Sequence, residues 1–141
     1  MPKKESYFSG EKYNLLAKKF GYRSRAAFKL IQIDDKENII KKNLNIVDLG
    51  CAPGGWSQVA SKKLNGTGSI VAIDILDMPE IKGVKFIKSD LKDFEEIKLK
   101  KPIDIVISDI APNISGVGLV DNANMIDLLE IELSIVDKTL V

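Results

Sequence analysis

Histidine is absent from the 141 residues, and cysteine occurs once, at Cys51. One thiol excludes an intrachain disulfide. Without histidine, neither a Cys/His zinc site nor a Ser-His-Asp or Cys-His nucleophilic site can be built. Chemistry is left to Lys, Asp, Glu, Tyr, Ser or a bound cofactor. No apolar run approaches the roughly 18 residues of a membrane span. The opening segment, MPKKESYFSG, lacks the apolar stretch of a signal peptide. A cytoplasmic setting is expected, with no membrane and no metal. Flexible linkers, low-complexity segments and internal repeats are also missing. A composition 45% hydrophobic and 29% charged fits an ordinary globular chain.

The net charge of +1 conceals an asymmetry. Residues 1–42 hold 11 Lys+Arg against 5 Asp+Glu, whereas residues 43–141 hold 10 against 15. A head of +6 on a body of −5 suggests that the head meets a polyanion. The expected organisation is a basic, helical, RNA-facing segment over 1–42 and an α/β domain over 43–141. The plainer alternative is that these lysines merely solvate helical surfaces.

From Asn45 onward, β-branched runs alternate with helical patterns: NIVDLG, GWSQVASKKL, SIVAID, VKFIKSD, IDIVISDIA and NANMIDLLEIELSIVDKTL. Runs such as IVDL and IVIS are apolar at consecutive positions, as strands buried on both faces of a parallel sheet are. Strands are expected near 45–49, 69–74, 84–88 and 103–108, with a last helix over about 122–140. Before the sheet, Ser24 reads as the N-cap of an amphipathic helix, RAAFKLIQID. Ala27, Phe28 and Ile31 are expected inward, and Arg25, Lys29 and Gln32 outward.

The strongest local signal is VDLGCAPGGWSQ, a buried strand ending in an acid and a glycine, then a Gly-rich turn opening a helix. Its spacing, G-x-A-x-G-G, is not the G-x-G-x-x-G of dinucleotide binders. The second strand ends at Asp74, about twenty residues later, where an acid in doubly wound folds accepts from ribose hydroxyls. Asp90 ends the third strand, placed to accept from an exocyclic amine such as adenine N6. Asp109 ends the fourth, within SDIAPN. With Asp48, four acids line one sheet edge. They suit a cationic, hydroxyl-rich ligand such as S-adenosylmethionine better than a pyrophosphate.

Together, RSRAAFKL, VDLGCAPGGWSQ, the Asp74 and Asp90 positions and SDIAPNISG resemble the FtsJ/RrmJ family of ribosomal RNA ribose 2′-O-methyltransferases, also called RlmE. The similarity runs from about Tyr13 to the end of the chain. It implies a Rossmann-like methyltransferase fold, mostly parallel and here truncated at its C-terminus. It also implies S-adenosylmethionine as cofactor and 2′-O-methylation of a ribose, expected to be a uridine's, in 23S ribosomal RNA of the large subunit. The full-length protein is expected to be a monomer.

The family's Lys-Asp-Lys-Glu constellation maps onto Lys29 and Asp109; its second lysine and its glutamate would fall on later strands. The resemblance places cofactor contacts at Gly54, Trp56, Asp74, Asp90 and Asp109. Lys18, Lys19, Arg23 and Arg25 are the expected RNA anchors. Each has a plainer alternative: Trp56 as core packing, Lys29 as a solvated helix residue, Asp48 as a structural acid bonding turn amides. Cys51 reads as inert, with no histidine to activate it. Two rival functions stay open: an NAD(P)-dependent oxidoreductase, and a non-catalytic cofactor- or RNA-binding remnant.

Overall fold

The computed structural model describes residues 11–110, 130–137 and 139–140. Residues 122–129 and 138 of the expected last helix, and SDIAPNISG beyond Ile110, lie outside them. Two helices come first, α1 (Glu11–Phe20) and α2 (Ala26–Glu37). Strand β1 (Asn45–Leu49), helix α3 (Gly55–Leu64), β2 (Ser69–Asp74) and β3 (Val84–Lys88) follow. A 3-10 turn (Leu91–Glu96) and β4 (Ile105–Ser108) complete the sheet. Residues 130–137 are helical.

The four strands form one all-parallel sheet in the order β3-β2-β1-β4. Parallel pairing brings every carboxyl end to one edge, so consecutive acids in the sequence become neighbours in space. The central strand β1 is covered on both faces, which explains its unbroken apolar run. Ile46 enters a cluster with Ala27, Leu30, Trp56, Val59 and Ile107 under α2 and α3. Val47 and Leu49 point the other way, to Ile73, Phe94, Ile103 and Ile135. The basic N-terminal segment therefore lies against the sheet through Ala27 and Leu30.

Three details differ from the sequence expectations. Ser24 does not cap α2: Arg25 occupies the N-cap position, and no side chain accepts there. Ser24 instead packs at Gly55, where an added Cβ would meet its Oγ at 2.7 Å. The buried positions of α2 are Ala27, Leu30 and Asp34, whereas Phe28 turns toward α1 and meets the rings of Tyr13, Phe20 and Tyr22 edge-on. Strand β4 begins at Ile105 rather than 103. Ile103, 2% exposed, instead bridges to Leu140. Arg25, Lys29 and Gln32 are exposed, as expected.

Asp34 shows how a buried acid survives. It accepts from the backbone N–H groups of Ile39 and Ile40 and pairs with Lys63. Burial pushes its carboxyl up, but these donors outweigh that and hold it below its ordinary value.

Candidate active site

The Gly-rich turn joins β1 to α3. Gly50, at φ +67°, donates its N–H to the Ile73 carbonyl on the neighbouring strand at 2.7 Å, so the chain turns immediately above β2. Gly54, at φ +115°, forms the N-cap of α3, and a Cβ there would stand 2.7 Å from Ile81 Cδ1. This left-handed, crowded position has room only for glycine.

Asp48 is 1% exposed and accepts from Ser57 Oγ at 2.7 Å. Burial pushes its carboxyl from 3.8 up to about 7; the Ser57 bond opposes this, while the charges of Asp74 and Asp109 reinforce it. Below its folded pKa Asp48 carries a proton that the unfolded chain holds only near pH 4. The fold thus binds the extra proton between about pH 4 and 7, and Asp48's contribution to stability falls as pH rises through that window. Urea unfolding of Asp48→Asn should show a variant at least as stable as the parent at pH 8, with that advantage shrinking by pH 5. Parallel pH curves would contradict the assignment. The same surroundings, burial first, push the Cys51 thiol to about 12. That makes it unreactive, as its setting in the sequence suggests.

Asp74 is 9% exposed, and both of its oxygens hold backbone: Oδ2 accepts from Ala52 N at 2.9 Å and Oδ1 from Leu76 N at 3.0 Å. It thereby ties the end of β2 to the Gly-rich turn. Asp90 stands one strand further out and accepts from Lys92 N at the start of the 3-10 turn. Asp109, past the end of β4, meets Lys29 of α2 at 3.3 Å across a gap of 80 residues. A cavity of about 400 Å³ adjoins this pair, walled by Tyr13, Arg25, Ala26 and Phe28. A narrower cleft beside it reaches Asp48, Gly50 and Ala52.

Trp56 lies in the core cluster, and its Nε1–H donates to the Ala26 carbonyl at 2.8 Å. Its ring also lines the narrow cleft, so it links α2 to the turn. Lys18 and Lys19 are exposed in the last turn of α1, and Arg25 is exposed before α2. Arg23 is differently occupied: its guanidinium donates to three backbone carbonyls. Sequence reasoning passed over Ser57, the acid's partner, and the pair Ile75 and Leu76, 60% and 62% exposed beside Asp74. Two exposed aliphatics directly after an acid-ended strand were a readable sign of a ligand's apolar face.

The FtsJ-like methyltransferase profile matches residues 22–141. The chain belongs to that family. "Ribosomal RNA large subunit methyltransferase E" of Methylobacillus flagellatus is 52% identical over 124 residues, covering 83% of this chain and 59% of the relative. The protein of the same name from Cellvibrio japonicus is 42% identical over 142 residues, covering 96% and 67%. A crystal structure of a Plasmodium falciparum protein named as a ribosomal RNA methyltransferase superposes with a TM-score of 0.77 at 33% identity. It covers 85% of this chain and 73% of that one. The chain spans about three-fifths of the length of the first of these curated relatives. Family membership bears out the resemblance read from the motifs, as the parallel sheet bears out the Rossmann-like fold. It removes the oxidoreductase alternative. No described helix is long and apolar enough to cross a membrane.

Proposed function

We propose that the acidic sheet edge binds S-adenosylmethionine, and that Lys29 and Asp109 prepare a ribose 2′-hydroxyl of large-subunit ribosomal RNA, a uridine's, for methylation. One observation carries the reading: four acidic strand ends converge on a Gly-rich turn, with one lysine reaching the outermost of them from α2. That donor set fits the cofactor. Carboxylates suit its hydroxyls and its positive charges, and the glycines let it approach backbone closely.

In this reading Asp74 holds the ribose and Asp90 the exocyclic amine, while Ile75 and Leu76 cover the base. Gly54 leaves room at the turn, Trp56 fixes the turn's position, and Asp109 lies beside the methionine end. The cofactor supplies an electrophilic methyl group. Lys29 Nζ holds the ribose oxygen and stabilises the negative charge that develops on it, and Asp109 orients that ammonium. Lys18, Lys19 and Arg25 hold phosphates as a salt-sensitive anchor largely indifferent to sequence.

The test uses the whole protein that carries this chain, tritiated S-adenosylmethionine and large-subunit ribosomal RNA lacking the modification. Methyl transfer to the 2′-oxygen leaves label in a dinucleotide that alkali cannot cleave. Label in mononucleotides alone would show base methylation and refute the ribose assignment. No transfer to this RNA would refute the substrate.

A further inference from the structure

We propose that Arg23 is a positioning residue of the cofactor cleft, a clamp that sets the spacing between the Gly-rich turn and the β2–β3 crossover, and not the phosphate anchor its place in the basic head suggests. The proposal rests on the cofactor reading above and adds a residue to it.

The need for a clamp follows from the crossover itself. Only residues 75–83 connect β2 to β3, and they contain no helix. Parallel neighbours ordinarily require a dozen or more residues, with a helix that packs the connection onto the sheet. This crossover lacks one, although it carries Leu76, Met78 and Ile81 around the site's outer wall. Its described internal ties are few: Leu76 N to Asp74 Oδ1 at one end and Val84 N to the Ile81 carbonyl at the other.

Arg23 supplies the missing tie. Nη1 donates to the Pro79 carbonyl at 2.6 Å and to the Pro53 carbonyl at 3.2 Å, and Nη2 donates to the Glu80 carbonyl at 2.7 Å. One planar guanidinium thus spans the crossover and the Gly-rich turn, which a single ammonium could not match with the same fork. The arginine is itself held: its backbone N–H donates to Gln58 Oε1 at 2.8 Å, and Gln58 Nε2 donates to the Gly21 carbonyl. A Cβ at Gly54 would approach Nη1 to 3.1 Å, so the guanidinium lies directly against the turn. With three N–H bonds committed to carbonyls, little of its fork remains for a phosphate.

The consequence concerns ligand release. An untied crossover samples open states, and a ligand held between it and the turn leaves faster. Arg23→Ala should weaken S-adenosylmethionine about tenfold, with equal weakening of S-adenosylhomocysteine, since the sulfonium charge plays no part in the clamp. Arg23→Lys should fall between the two. Amide exchange across residues 75–83 should quicken in Arg23→Ala while amides of β1 and β2 keep their protection. The salt dependence of RNA binding should be unchanged, whereas Arg25→Ala lowers its slope by about one.

Calorimetry with both ligands, well below the melting temperature of each variant, is read beside the exchange data. Cofactor affinity and loop exchange both unchanged in Arg23→Ala, with a lowered RNA salt slope, overturn the clamp in favour of a phosphate contact. If Arg23→Ala does not fold, Arg23→Lys with wild-type cofactor affinity and loop exchange overturns it equally. A wild-type chain that binds no S-adenosylmethionine refutes the cofactor reading instead. Loop exchange then decides the clamp alone, and exchange as slow as wild type overturns it.

Discussion

Lys29→Ala lowers the rate of methyl transfer by about 10²- to 10³-fold and leaves S-adenosylmethionine affinity within about threefold of the parent. The magnitude is that of removing one donor aimed at an oxygen on which charge develops. Lys29 is placed for that task by α2, whose Ala27 and Leu30 are fixed in the core while Lys29, 60% exposed, reaches to Asp109 at 3.3 Å. So exposed a pair contributes little to stability. The melting temperature should therefore move by no more than a degree or two, which separates a rate effect from unfolding. Because Asp109 orients the ammonium, the double variant Lys29→Ala, Asp109→Ala should be little slower than the worse single variant. Rates that multiply would show that the two act independently. Loss of cofactor affinity in Lys29→Ala matching the loss of rate would place Lys29 in cofactor binding.

Asp74→Ala weakens S-adenosylmethionine by about 10- to 100-fold or more. A hydrogen bond to a charged group contributes about 1.5–3 kcal/mol, and each 1.4 kcal/mol is a factor of ten in affinity. Asp74 does two things at once. Its oxygens fix Ala52 of the Gly-rich turn and Leu76 of the crossover, and in the proposed complex it also accepts from the ribose. Asp74→Asn separates these contributions, because its amide can accept one backbone N–H but must present a donor to the other. It should keep the fold and still bind weakly. Asp90→Ala, at a partly exposed acid bonded to Lys92 N alone among the described residues, should cost less. Asp90→Ala weaker than Asp74→Ala would mean that the cofactor sits further toward β3 than proposed.

The sheet was legible because its strands are short, β-branched and punctuated. NIVDLG, SIVAID and VKFIK became β1, β2 and β3 with the expected bounds. Parallel pairing then turned a sequence pattern, acids at strand ends, into one spatial edge. Arg23 was illegible for a plain reason. Charge counting assigns an arginine to whatever anion the protein meets, and cannot see that three carbonyls lie within reach of its fork. Ser24 misled similarly. A serine ahead of a helical run is a sound capping signal, but the approach of Gly55 gave its hydroxyl another neighbour. Phe28 follows from the same limit: periodicity marks one apolar face on α2, whereas this helix has two, the sheet taking Ala27 and Leu30 and α1 taking Phe28. Ser57 was hidden because nothing in VDLGCAPGGWSQ shows that Asp48 points back toward α3.

A calorimetric titration of the wild-type chain with S-adenosylmethionine, set beside one with NADH, tests the central claim most directly. The account predicts saturable one-to-one binding of S-adenosylmethionine, competed by S-adenosylhomocysteine, and no heat of binding from NADH. A folded chain that binds NADH, or that takes up no S-adenosylmethionine, would contradict it.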